Sequence, residues 1–498
     1  MRGMTMADIT AEVNAERAGY QNIGLVVGPS VFLIMLFFSE QQQTMSVEAW
    51  RTAAVGLWMA TWWATEAIPV PATAFLPIVT FDVLGITSVK EAAAPYANPT
   101  IYLFLGAFIL ALAVERWNLH KRVALNILAR TGTDGKRLIG GFMLVAALLS
   151  MWMTNTSTTM MLLPIAISVV AVVTGNLSHV DEKNKTNFQI AMLLGLAFAA
   201  TIGGLATLIG TPPNALFAAF MKENYGLEIS FFDWMLVGVP LTAILLPTAW
   251  LVLTRLVFPV DIQENSAAGE HLRHEREALG RITTPEKRVA IIFGLVVLGW
   301  ILRRPLSSGL SVDGLSDTAI ALGGALLLFF MPSGDPKQKQ LMVWSNLDRL
   351  PWGVLILFGG GLSLAATISS SGLAQWLGES LSPISVFGIA ALVISATALV
   401  IFLTELTSNL ATTATFLPII AAIAIQSGIP PMFLCVPVTL AASCAFMLPV
   451  ATPPNAVVFS SGMVTIPQMV RAGFYLNCTG MALLTVVALW WAPMIFGV

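Results

Sequence analysis

Two asparagines set the chemistry open to this chain. Asn155 sits in Ser150-Met151-Trp152-Met153-Thr154-Asn155-Thr156-Ser157-Thr158-Thr159, and Asn409 in Thr404-Glu405-Leu406-Thr407-Ser408-Asn409-Leu410-Ala411-Thr412-Thr413. Each is a cluster of hydroxyls and one amide inside an apolar run. An asparagine amide carries an acceptor oxygen and an NH2 donor, and a hydroxyl is both donor and acceptor. The oxygens suit a hard cation and the donors suit a carboxylate. Neither cluster contains Lys or Arg. An anion held here would therefore depend on amides, hydroxyls, helix N-termini and bound cations.

The two clusters superpose at one offset, 254 positions (409 − 155). It aligns Ser150 with Thr404, Thr158-Thr159 with Thr412-Thr413, and Leu163-Pro164-Ile165 with Leu417-Pro418-Ile419. Upstream it aligns Phe104 with Phe358, Gly106 with Gly360, Leu110 with Leu364 and Ala111 with Ala365. A third block, Thr211-Pro212-Pro213-Asn214-Ala215, returns as Thr452-Pro453-Pro454-Asn455-Ala456 at an offset of 241 (452 − 211). Three blocks repeated in one order mark an internal duplication, and duplicated polar interruptions of apolar segments point to a transporter binding site. Taken singly, hydroxyls in membrane helices serve helix packing and prolines serve kinks. Repetition in register favours a site.

The elements that position these residues are membrane helices. The chain has 498 residues, 56% hydrophobic and 10% charged, with a mean hydropathy of +0.81. A soluble protein carries about 25% charged residues, so the composition implies an all-α membrane protein. A barrel would show weak alternating segments instead. A net charge of −2 with dispersed basic residues excludes a nucleic-acid partner. Cys435, Cys444 and Cys478 lie in apolar surroundings and read as small buried hydrophobes. The four histidines fall in polar connectors; His271 and His274 have the spacing of a metal pair, but their charged surroundings read as a surface helix. The opening residues 1–21 form a polar tail without the apolar core of a signal peptide.

A span needs about 20 apolar residues. Segments 22–38, 50–65, 68–86, 100–115, 190–221, 233–257, 288–302, 317–331, 351–370, 430–460 and 474–497 qualify, giving 11 crossings. The two motif regions, about 138–176 and 384–427, read apolar, polar, apolar, as re-entrant hairpins with tips at membrane depth would. Lys and Arg concentrate in connectors 116–137, 258–287 and 332–350, which places the N-terminus in the cytoplasm and the C-terminus outside; Arg303-Arg304 is the exception. An odd number of crossings between segments 100–115 and 351–370 makes the halves antiparallel. Connector 258–287, rich in Glu, Arg and His, is expected to form a cytoplasmic surface helix.

At a hairpin tip the second half-helix presents free N–H groups and a positive dipole end to a carboxylate, while the first leaves bare carbonyls for a cation. Pro212-Pro213 and Pro453-Pro454 cannot donate backbone hydrogen bonds and bias the residue before each away from helix. Both segments should unwind near mid-membrane, and freed carbonyls facing a tip make an oxygen cage for Na⁺, one per half. Glu66, Glu115 and Glu405 are candidate proton relays; the first two sit at span ends, where structural pairing is commoner, and Glu405 points to a different face from Thr404.

At these residues the chain resembles the divalent-anion/sodium symporter family of dicarboxylate and citrate carriers. The likeness lies in the paired Ser-Asn-Thr motifs, here Thr154-Asn155-Thr156 and Ser408-Asn409-Leu410, in Trp62-Trp63-Ala64-Thr65-Glu66-Ala67-Ile68-Pro69, in Glu115-Arg116-Trp117-Asn118-Leu119-His120, in Leu350-Pro351-Trp352-Gly353 and in Met447-Leu448-Pro449-Val450-Ala451-Thr452-Pro453-Pro454-Asn455. The resemblance implies a homodimer working as an elevator, with scaffold helices at 22–99 and 233–350, transport halves at 100–232 and 351–473, and a last membrane helix at 474–498. It implies a first Na⁺ site at Ser150, Thr154, Asn155 and Gly210, and a second at Thr404, Thr407, Asn409 and Ala451. Substrate carboxylates would meet Asn155, Thr156, Thr211, Ser408, Asn409, Thr452 and Pro453. Thr154 keeps the hydroxyl of the first motif's Ser; Leu410 removes one from the second.

The function expected is sodium-coupled symport of C4-type dicarboxylates such as succinate, fumarate or malate across a bacterial inner membrane. Competing functions are a sodium-independent exchanger, a carrier of citrate or sulfate, a passive anion channel and a membrane-embedded hydrolase. The last lacks a metal-binding His cluster and a nucleophile–base pair, so the chain is not expected to be an enzyme.

Overall fold

The computed structural model describes residues 18–175, 181–263, 266–310, 314–381 and 388–497. Most of the polar tail, His179 and positions 384–387 of the second hairpin range lie outside them. Helices α1 (Gly19–Phe37) and α2 (Val47–Thr65) pack as a pair. The chain then leaves helical geometry at Glu66, whose φ of 46° is left-handed. The span expected over 68–86 does not form as one helix. Pro69, Pro71 and Pro77 divide it into Val70–Thr73 and Leu76–Thr80, because each proline removes a donor and crowds the preceding turn.

There follow α3 (Pro99–Arg116), α4 (Leu119–Leu128), α5 (Gly135–Ser150), α6 (Asn155–Gly175), α7 (Glu182–Gly204), α8 (Pro212–Tyr225) and α9 (Phe231–Leu251). Next come α10 (Ser266–Ala278), α11 (Thr284–Ile301), α12 (Asp317–Phe330) and α13 (Trp352–Ser370). The second half closes with α14 (Ile389–Thr404), α15 (Asn409–Gln426), α16 (Met432–Ala442), α17 (Pro453–Phe459) and α18 (Ile466–Val486). One departure from all-α is a small antiparallel ribbon, Pro332–Asp335 with Gln338–Gln340. Gly334 takes φ 83° there and the Asp335 carboxylate accepts from Lys337 N–H at 2.8 Å, a turn the polar connector can form in water.

The duplication read in the sequence holds in the backbone. The offset of 254 carries both ends of α5 onto both ends of α14, the break at 151–154 onto 405–408, and the start of α6 onto the start of α15. Packing repeats as well. α5 lies on α7 as α14 lies on α16, and the partners then cross over: α6 packs on α17 of the second half, α15 on α8 of the first. Phe104 and Phe358, aligned by the same offset, meet with ring centroids 5.1 Å apart.

Among the described residues, eight helices are long and apolar enough to cross a membrane, and four shorter apolar helices accompany them. The surface of α1 carries Ile23, Val26, Leu33, Ile34 and Phe37 outward, an apolar face suited to lipid. α10 forms within connector 258–287 and docks on the first hairpin, with His271 Nε2 2.8 Å from Ser168 Oγ on α6 and Lys121 3.4 Å from Glu275. Arg303 and Arg304, the pair that broke the charge pattern, are matched by acids. Arg303 meets Glu228 at 3.0 Å and Asp317 at 3.4 Å, and Arg304 meets Asp233 at 2.6 Å. Their charge is locally balanced.

Candidate functional site

Both hairpin tips are built the same way. α5 and α14 end on a buried hydroxyl, Ser150 and Thr404, five residues before the asparagine that opens the next helix. At the first tip Thr154 Oγ1 accepts from Ser157 N–H at 3.2 Å, which starts α6 at Asn155. At the second tip the Ser408 side chain makes no such capping bond, and its hydroxyl remains available to the cavity it lines.

The side chains at each tip gather oxygen in excess of hydrogen. The end of the Asn155 amide that points into the first half meets only oxygens: Ser150 Oγ at 2.5 Å and the carbonyls of Gly210 and Ala200 at 3.2 Å. With Nδ2 in that position its two hydrogens are shared among the three. With Oδ1 there, four oxygens converge, an arrangement that a cation relieves. In the second half Thr404 Oγ1 lies 2.9 Å from Asn409 Oδ1 and 2.8 Å from Ala442 O, one hydroxyl hydrogen facing two acceptors. Clusters of this kind, oxygen-only at the first tip when the Asn155 oxygen faces inward, suit a hard cation.

Opposite the tips, both proline motifs have unwound. Thr211 (φ −143°, ψ 141°) and Thr452 (φ −142°, ψ 148°) are extended, as residues before proline should be. The first break runs from Leu205 to Thr211 and the second from Ser443 to Thr452. Each is closed by the asparagine of its own motif. Asn214 Nδ2 donates to Gly204 O at 3.1 Å and Thr207 O at 2.8 Å; Asn455 Nδ2 donates to Ala445 O at 3.4 Å and Leu448 O at 3.0 Å. The offset of 241 relates every one of these atoms to its counterpart. Sequence reading missed this role, although the two asparagines stood in both copies of the motif. The breaks also meet each other: Thr211 Oγ1 is 3.4 Å from Ser443 Oγ, and the rings of Phe198 and Phe446 stack edge to face at 5.3 Å.

Tips and breaks converge on one cavity of about 800 Å³. Its polar wall holds Thr154, Asn155, Thr156, Ser157, Gly210, Thr211, Ser408, Asn409, Ala451, Thr452 and Pro453. All seven residues expected to meet substrate are in that wall. Of those expected to ligate cations, Thr154, Asn155, Gly210, Asn409 and Ala451 line it, and Ser150 and Thr404 lie buried behind their asparagines. Thr407 does not line it; its hydroxyl bonds to Leu403 O at 3.1 Å and Thr412 Oγ1 at 2.6 Å. Leu410 lines the cavity where the first half offers the Thr156 hydroxyl.

An apolar part of the lining comes from Phe108, Ala111 and Leu112 on α3 and Val354 and Leu357 on α13. Sequence reading did not foresee these residues. Glu66, Glu115 and Arg349 also line it, and Arg349 pairs with Glu115, the structural pairing expected of an acid at a span end. Glu405 lies outside the lining, as its face on the helix implied, and is bonded to backbone N–H groups instead.

The transmembrane region described as that of sodium:sulfate symporters matches residues 21–498. This chain belongs to the divalent anion/sodium symporter family. Within the family it is 40% identical over 482 residues to the sodium-dependent dicarboxylate transporter SdcS of Staphylococcus saprophyticus, covering 96% of this chain and 92% of that one. The SdcS protein of Staphylococcus aureus strain USA300 is 40% identical over 489 residues, with the same coverage. Among solved structures, the YdaH transporter of Alcanivorax borkumensis matches with a TM-score of 0.56 at 14% identity, over 87% of this chain and 98% of that chain. At that identity the likeness is one of fold. It places the helical arrangement of this divalent anion/sodium symporter among known transporter architectures.

Proposed function

We propose that the protein is a secondary active transporter, not an enzyme, which carries a C4-type dicarboxylate (succinate, fumarate or malate) into the cell together with Na⁺. The observation that carries this is the meeting of two oxygen clusters and two sets of N–H and hydroxyl donors on one cavity. A dianion in the cavity would lie between the tips, its carboxylates taken by Asn155, Thr156 and Thr211 at one end and by Ser408, Asn409, Thr452 and Pro453 at the other. Cations would sit behind, the first at Ser150, Thr154, Asn155 and Gly210, the second at Thr404, Thr407, Asn409 and Ala451. Among the described residues, Arg349 is the one cationic side chain lining the cavity, and it is engaged by Glu115. The dianion therefore draws its counter-charge from Na⁺, and in a medium of low polarity unpaired charge is costly enough to couple the two. The family membership and the printed function of the Staphylococcus relatives support the same substrate class and ion.

The resemblance supports an elevator with scaffold helices at 22–99 and 233–350 and transport halves at 100–232 and 351–473; the polar lining between α5 and α8 and between α14 and α17, and the apolar lining on α3 and α13, would then travel together. Glu66, Glu115 and Arg349 line the cavity at the ends of α2 and α3 and just before α13, where the Lys- and Arg-rich connectors lie. With 11 crossings, a cytoplasmic N-terminus and an outside C-terminus, that end faces the cytoplasm of an inner-membrane homodimer.

Uptake of labelled succinate into proteoliposomes is the test. An inward Na⁺ gradient should raise the initial rate about tenfold or more over an equal K⁺ gradient, the effect of losing at least ~1.4 kcal/mol of cation-dependent binding. Uptake that ignores external Na⁺ and requires internal dicarboxylate would instead establish an exchanger, and inhibition by citrate or sulfate in place of succinate would reassign the substrate.

A further inference from the structure

We propose that Glu405 is a positioning residue: its buried carboxylate holds the second helix break open so that the carbonyls beside it stay aimed at the second cation site. This rests on the sodium-coupled function proposed above. Glu405 is 3% exposed, at the second hairpin tip between Thr404 and Leu406. Its Oε1 accepts from Phe446 N–H at 2.8 Å, Met447 N–H at 3.0 Å and Asn477 Nδ2 at 2.7 Å; its Oε2 accepts from Met447 N–H at 3.1 Å and Leu448 N–H at 3.0 Å. Five bonds arrive and all are donated to the carboxylate, the pattern of an ionised group acting purely as acceptor. Three successive backbone N–H groups form an anion-binding nest, and here the chain fills it with its own side chain.

The need arises from the break. α16 ends at Ala442, and the N–H groups of Phe446, Met447 and Leu448 lose their helical partners at a depth where no lipid group can replace them. A shorter or neutral side chain would leave at least one of them unsatisfied. Satisfying them from the tip also ties the segment that carries Ala451 to the segment that carries Thr404 and Asn409. Asn477 extends the tie to α18.

The device is one-sided. At the same offset in the first half stands Met151, whose side chain can accept no such bonds. There the break is tied to the tip by neutral contacts only, Thr207 Oγ1 to Met151 O at 2.6 Å and the Asn155 amide to Gly210 O at 3.2 Å. The second cation site alone thus has a framework fixed by a full charge, with that charge one residue from Thr404 and outside the substrate cavity.

Na⁺-dependent thermal stabilisation of the purified protein tests this without transport, because a ligand that binds only the folded state raises the melting temperature by mass action. In the unmodified protein, melting temperature should climb with Na⁺ and saturate. In Glu405→Gln the Na⁺ concentration at half-effect should rise about tenfold, as a carboxylate bond set is replaced by weaker neutral ones. The succinate KM at saturating Na⁺ should stay within about threefold of the original, since the side chain is outside the cavity; a purely structural lesion would move both. Should Glu405→Gln fail to fold, Asn477→Ala carries the test. It removes one of the five bonds, and the half-effect concentration should rise about threefold. Absence of any Na⁺ effect in the unmodified protein contradicts the sodium-coupled function itself. A normal Na⁺ effect there, with an unchanged midpoint in the variant, overturns the role of Glu405 alone.

Discussion

Asn155→Ala and Asn409→Ala are each expected to lower dicarboxylate uptake about 100-fold or more while leaving the protein folded and in the membrane. Each asparagine does two things at once. One end of its amide reaches back to Ser150 or Thr404, and the residue lines the cavity at a helix N-terminus. On the proposed assignment, alanine therefore removes a cation ligand and a carboxylate donor together. A bond to a charged group contributes about 1.5–3 kcal/mol, and two such losses correspond to a factor of 100 or more. Folding should suffer less, because the tip backbone is held independently by Thr159 and Thr413, whose hydroxyls donate to the carbonyls of Asn155 and Asn409 at 2.9 and 2.8 Å. Uptake at matched membrane abundance decides it. Normal transport by either variant removes the site assignment.

The second large effect is expected from Gly210→Ala. Gly204 and Gly210 bound the first break and press its two ends together. A methyl group on Gly210 would lie 2.5 Å from Gly204 O and 2.8 Å from Gly204 Cα, both backbone atoms that cannot rotate away. The break must then widen, and the Gly210 carbonyl moves from its place 3.2 Å from the Asn155 amide. Overpacking of this kind costs about 1–3 kcal/mol, so the fold should survive. The Na⁺ dependence of uptake should not: the rate at a fixed Na⁺ concentration is expected to fall about tenfold or more, as each ~1.4 kcal/mol of binding is a factor of ten. An uptake curve against Na⁺ superimposable on that of the unmodified protein would exclude the first cage as drawn.

Much of this arrangement was legible in the chain because its signals are exceptions to an apolar background. A cluster such as Thr154-Asn155-Thr156 is expensive in lipid, and a Pro-Pro pair breaks hydrogen bonds wherever it falls. When both recur in register the tips and breaks follow, and the helix ends at the two tips obey the sequence offset residue by residue. Features made of ordinary residues stayed hidden. Phe108, Leu112, Val354 and Leu357 form a wall of the cavity, yet an apolar side chain reads the same whether it faces lipid, a helix or a substrate. The split of 68–86 was missed because hydropathy counts proline as part of a span, although Pro69, Pro71 and Pro77 were in view. The ion pairs of Arg303 and Arg304 were not legible because their partners Glu228, Asp233 and Asp317 lie outside the local sequence. The closing role of Asn214 and Asn455 required the loop geometry they create.

The central claim is that both tips face one bound dicarboxylate and that Na⁺ is required for it. Ser157 and Leu410 line the cavity, one beside each tip, and neither is assigned to the ligand. In a background with Cys435, Cys444 and Cys478 replaced, single cysteines at these two positions can be followed by their rate of reaction with a thiol reagent. Succinate with Na⁺ should slow both reactions together, and succinate without Na⁺ should slow neither. Protection at one position alone, or equal protection when Na⁺ is replaced by K⁺, would contradict a shared, sodium-dependent site.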